Sequence, residues 1–141
     1  MPDQSEMPSI LLVGHDLSLL EGLAQSLSAQ GHSTRVASSF GEARELTMTN
    51  RPLIAVIERE MATTAAGEVL GLSLAAGGAL VLYRSGPVKT LAVPHALQRH
   101  ILADLALPLE RNRLAALVQT VSDRATAAGR GRISGENQLT S

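Results

Sequence analysis

The chain has 141 residues, 45% of them hydrophobic and 18% charged, with 12 Lys and Arg against 13 Asp and Glu. That length suits one domain, and a chain of this size buries roughly two-thirds of its surface on folding, enough to close a core without covalent or metal staples. The lack of cysteine removes disulfide frameworks, thiolate catalysis and Cys-ligated metals; a formal net charge of −1 gives no pull toward nucleic acid or anionic membrane; and Phe40 and Tyr83, the sole aromatics, cannot build a base-stacking platform.

Residues 1–8 are polar with two prolines and read as a flexible arm. They lack the basic-then-apolar pattern of a secretory leader, and no apolar run is long enough to span a bilayer, so a soluble, cytoplasmic domain is expected. Ser9 to Val13 is apolar throughout, as suits a strand covered on both faces. Gly14-His15-Asp16 breaks the run. Asp16 or Ser18 then caps a helix over about residues 17–30, Ser18 with Glu21 forming an S-x-x-E pattern. Leu19, Leu20, Leu23, Ala24 and Leu27 form its buried stripe, and Gly31 ends it.

Thr34 to Ala37 reads as a second strand. Ser39 and Glu42 open a second helix with Phe40, Ala43 and Leu46 inward, and Pro52 stops it. Leu53 to Ile57 is a third strand. Residues 61–76 read as an Ala- and Leu-rich helix carrying Val69, Leu70 and Leu74, closed by Gly77-Gly78. Ala79 to Tyr83 is a fourth strand. Between Gly86 and His100, Pro87 and Pro94 leave room for a short helix only. Ala103 to Leu107 is a fifth strand, ended by Pro108. The last helix has Leu114, Leu117, Val118 and Val121 on one face, and residues 125–141 have the composition of a flexible C-terminal tail.

Five short apolar strands alternating with helices predict an α/β fold, a doubly wound five-stranded parallel sheet of the flavodoxin-like kind over residues 9–124. Ligands of such sheets collect at the carboxyl ends of the strands. Those ends hold Gly14-His15-Asp16, Glu58-Arg59-Glu60, Arg84-Ser85 and Leu107-Pro108. No G-x-G-x-x-G, G-x-x-x-x-G-K-[ST] or G-x-S-x-G sequence occurs, so dinucleotide loops, P-loops and hydrolase elbows find no support. A cobalamin loop would need Asp and Gly where Val13 and Ser18 stand. His32, His95 and His100 are scattered and read as surface residues. Arg130-Gly131-Arg132 is too small a basic patch for nucleic acid.

Over residues 9–124 the chain resembles the receiver domain of two-component response regulators, in element order and in three segments. ILLVGHDLSLLEGLAQSLSAQGH is similar to that family's first strand, acidic turn and first helix. LIAVIEREM resembles its phosphoacceptor strand, and ADLALPLERNRLAALV its closing strand, Lys-Pro turn and last helix. The resemblance implies strand order 2-1-3-4-5 and a place in phosphorelay signalling. It also implies five functional positions, each of which departs from the family pattern. Gly14 and His15 stand where two acidic residues hold magnesium, with Asp16 following as a helix cap. Glu58 stands at the phosphoacceptor aspartate. Arg84, or Ser85 in a register shifted by one, stands at the hydroxyl position, and Leu107 at the lysine before Pro108.

Magnesium demands oxygen ligands, and phosphoryl transfer is mostly positioning and charge neutralisation. The expectation is therefore a phosphorylation-independent pseudo-receiver with no catalytic residues, no metal and no cofactor. It would act on a protein partner, such as a regulator, kinase or output protein. The family's partner face, made of the fourth helix, fifth strand and fifth helix, would be the route to a homodimer. Direct nucleic-acid and membrane binding are not expected. Glu58 is expected between His15 and Arg84, pairing with them as an internal substitute for the phosphoryl switch. Against this stands a solvated Glu58 with Arg59 as its neighbour. The alternative function is capture of a small anion or metabolite by His15 and Arg84.

Overall fold

The computed structural model describes residues 9–85 and 93–140, with side chains described as far as residue 126. The expected arm 1–8 and most of the segment leading to the short helix before His100 lie outside the described residues. The chain runs β1 (Ser9–Val13), α1 (Leu17–Ala29), β2 (Ser33–Ala37), α2 (Phe40–Thr49), β3 (Ile54–Glu58), α3 (Arg59–Thr64), α4 (Ala66–Leu70), β4 (Ala79–Arg84), α5 (His95–Gln98), β5 (Ile101–Ala106) and α6 (Arg111–Thr140). All strand pairs are parallel, in the order β2-β1-β3-β4-β5.

Strand alternation sorts the apolar side chains to two faces. Ile10, Leu12, Ile54, Val56, Val81, Tyr83 and Leu105 meet Leu20, Leu23 and Leu27 of α1 and Leu114, Val118 and Val121 of α6. Leu11, Val13, Ala55, Ile57, Leu80 and Leu82 meet Ala43, Met61, Ala62, Val69 and Leu97 on the other side. Cover on both faces is why β1 and the first four residues of β3 are buried without interruption. β2, at one edge, is only partly covered, and Arg35 in it is exposed.

The helix starts depend on local hydrogen bonds. Asp16 caps α1, its Oδ1 accepting from Leu19 N at 3.1 Å, so Asp16 rather than Ser18 fills that role. Ser39 Oγ accepts from Glu42 N at 3.2 Å, and Glu42 Oε1 in return accepts from Ser38 N at 2.8 Å. Gly31, at φ 94°, makes the turn after α1, with His32 N donating to Leu27 O. That turn carries His32 inward. It is buried rather than on the surface, with neither ring nitrogen hydrogen-bonded.

Three expectations about elements need correction. The single helix over 61–76 is two short helices, broken at Ala65 (φ −138°, ψ 50°) and ended at Gly71. Helix propensity of an Ala-rich run is a weak constraint that packing overrides. β5 starts at Ile101, two residues early, and has one extra residue: Leu80 pairs with Ile101, but Val81 pairs with Ala103, leaving Leu102 over. The expected tail is helical, since α6 continues to Thr140; Ala125, Ala127 and Ala128 favour continuation of the preceding turns.

Candidate functional site

The carboxyl ends of β1, β3, β4 and β5 lie side by side, so parallel pairing brings the distant segments expected at the site into one neighbourhood. Within it, pairing differs from expectation at its centre. Glu58, the last residue of β3, faces His15 across the β1 end: His15 Nδ1 lies 2.9 Å from Glu58 Oε1, and His15 N donates to the same oxygen at 3.4 Å. The Glu58 side chain is 17% exposed and that of His15 72%. Arg84 turns the other way, its Nη1 donating to Asp104 Oδ1 of β5 at 3.0 Å. Arg59 Nη1 reaches Asp104 Oδ2 at 3.3 Å. Of the two expected partners of Glu58, His15 is in place, whereas Arg84, and Arg59 with it, binds Asp104 instead.

Register explains the second arrangement. Because Leu102 is the extra residue, Asp104 pairs with Leu82 and Ala106 with Arg84. Asp104 thus projects from the same sheet face as Leu82 and Arg84. Without the extra residue it would oppose Tyr83 and face the buried α1–α6 layer. Asp104 was not among the expected site residues. The signal was present as an acid inside the otherwise apolar ILADLAL, one strand away from Arg84.

Tyr83 is the second residue missed. It is fully buried, and its hydroxyl has no hydrogen-bond partner. Gly14 lies two residues beyond Leu12, so a side chain there would point into the α1–α6 layer, as Leu12 does. That space belongs to Tyr83: a Cβ on Gly14 would overlap the Tyr83 Oη and lie 3.0 Å from Cζ and 3.4 Å from Leu20 Cδ1. The phenolic ionisation is pushed far above its usual range, first by burial and then by the negative charges of Glu58 and Asp16.

The remaining positions complete the closure. Leu107 is 2% exposed and packs with Tyr83, Leu105 and Leu114, while its N–H donates to Arg84 O at 2.9 Å. Pro108, after a cis peptide bond, and Ser85 are both exposed. Glu110 reaches back to accept from Ala106 N at 2.7 Å and pairs with Arg113 at 3.0 Å. The Ala106 hydrogen bond, then the Arg113 bond, hold its carboxyl below the usual range, with the Arg84 charge adding to the same effect. Among the described residues no group of three or more His, Asp or Glu is arranged to hold a metal ion.

No protein-family model matches the chain, and no curated protein does. Solved structures do. A two-component response regulator from Clostridium difficile superposes with a TM-score of 0.69 at 19% identity, covering 84% of this chain and 98% of its own. A CheY-like response regulator receiver domain protein from Methanospirillum hungatei gives 0.65 at 17%, over 86% and 98%. A putative response regulator from Chloroflexus aurantiacus gives 0.65 at 20%, over 83% and 98%. The strand order, the two helical layers and these superpositions together establish that the chain has the CheY-like, flavodoxin-type fold of response regulator receiver domains.

Proposed function

We propose that the chain is a phosphorylation-independent receiver-like module that works by protein–protein contact in cytoplasmic signal transduction or transcriptional regulation, without a catalytic step. The observation that carries this reading is the Tyr83 hydroxyl in the space a Gly14 side chain would need. The resemblance to receiver domains implies an acidic residue at this position that serves magnesium. Here Gly14 offers no ligand, the room for one is filled, and Asp16 is committed to the α1 N-terminus. Leu107, buried and apolar, offers no cation to a phosphoryl oxygen. The residues present do not fit magnesium.

The partner is a protein, met on the face of α5, β5 and α6, where Leu102 and Leu109 are exposed apolar residues; a second copy of the chain is one form such a partner could take. No helix of the described residues is long and apolar enough to cross a membrane. The test is incubation with acetyl phosphate and magnesium, read by intact mass and by amide NMR shifts. No phosphoryl adduct and no magnesium-dependent shifts around Glu58 are expected. An adduct on Glu58, or saturable shifts at Gly14 and His15, would overturn the reading.

A further inference from the structure

We infer that Asp104 is a built-in latch, holding the ends of β3, β4 and β5 in one arrangement by binding Arg84 and Arg59 together. The inference rests on the reading above, that no phosphoryl group sets this region. Its own support is geometric. Arg84 is the last residue of β4, and Arg59 follows the last residue of β3. Asp104 lies on β5 and uses one oxygen for each guanidinium, at 3.0 and 3.3 Å. Each of the three side chains is between 25% and 34% exposed, so the cluster is screened less than a fully solvated pair.

The cluster is also tied to the turn beyond it. Arg84 O accepts from Leu107 N, and Leu107 is clamped in the core. Ala106 N donates to Glu110, so the last residue of β5 is fixed to the residue just before α6. The side-chain latch and the backbone bond at Arg84 act on the same strand end. Removing the Asp104 charge takes away the carboxylate that the two guanidiniums share near that end, and the backbone bond beside it is the one that should open.

Such a latch is a local device, and hydrogen exchange separates it from a general contribution to stability. The variants are Asp104→Ala and the near-isosteric Asp104→Asn, the second guarding against misfolding of the first. Two amides are compared. Leu107 N–H bonds Arg84 O at the latched end of β4, and Ala79 N–H bonds Leu53 O at the opposite end. Loss of two partly exposed ion pairs should raise exchange at Leu107 about fivefold in either variant. Ala79 should be unchanged. Equal acceleration at both amides, or none at Leu107, would overturn the latch. Acetyl phosphate and magnesium added to the same samples address the reading beneath it: an adduct on the wild type would refute that reading whatever the exchange shows.

Discussion

Gly14→Ala should be among the most damaging single-methyl additions in this domain, and Tyr83→Phe should largely cancel the damage. The added Cβ would overlap the Tyr83 Oη and crowd Cζ at 3.0 Å and Leu20 Cδ1 at 3.4 Å. Tyr83 and Leu20 are both fully buried, so neither can swing into solvent. Overpacking of this kind costs about 1–3 kcal/mol. Tyr83→Phe removes the overlapping oxygen and, with it, a buried hydroxyl that has no partner. Such an orphan costs about 1–3 kcal/mol when desolvated, so the Phe variant should be as stable as the wild type or more so. In the Phe background the overlap is gone, and the alanine keeps the Cζ contact at 3.0 Å and the Leu20 Cδ1 contact at 3.4 Å. The coupling between the two substitutions should fall in the range of about 0.5–3 kcal/mol found for touching residues. Urea midpoints of the four proteins measure it. If Gly14→Ala costs the same with and without the hydroxyl, the two positions do not compete for space and the account of the closed pocket fails.

Two further expectations concern the core. His32 is buried with both ring nitrogens unpartnered, and burial lowers its pKa from 6.5. The unfolded chain therefore binds the proton first as pH falls below about 6.5, and stability declines from there toward the lowered folded value. His32→Leu should remove that part of the decline between pH 7.5 and 5; identical pH profiles for the two proteins would refute it. Leu107→Lys, which supplies the residue the resemblance implies, should destabilise by at least about 2 kcal/mol because the site is 2% exposed and apolar. An unchanged urea midpoint would show that the side chain escapes to solvent.

The strands were legible because the cause is local and repeated: short apolar runs, turn residues between them, and one helix per connection. Their order was legible only through the resemblance to receiver domains. Residues 61–76 misled because Ala and Leu suit many environments, and nothing in MATTAAGEVLGLS announces a break at Ala65. The candidate site was legible as a set of strand-end positions, and parallel pairing does bring Gly14, His15, Glu58, Arg84 and Leu107 together. Who pairs with whom was not legible. Arg84 misses Glu58 because Glu58 pairs with Tyr83, so alternation turns Arg84 to the other sheet face. It finds Asp104 there because one surplus residue in β5 reverses the facing of everything after it. Tyr83 reaches the Gly14 position from two strands away, across β3. No spacing rule within a single segment reports that.

The surplus residue in β5 also shapes the edge of the sheet. β5 is a sheet edge, and its outer row of N–H and C=O groups is a template on which a strand of another chain could add. The extra residue between Ile101 and Ala103 disrupts the ladder to β4 and bends the strand there, beside exposed Leu102. Deleting Leu102 would leave Asp104 facing as it does now, since regular alternation from Ile101 then restores the same phase. It would also straighten the edge. The strand thus answers two demands separately: the latch needs only the phase, while the bend in the sheet edge needs the extra residue itself.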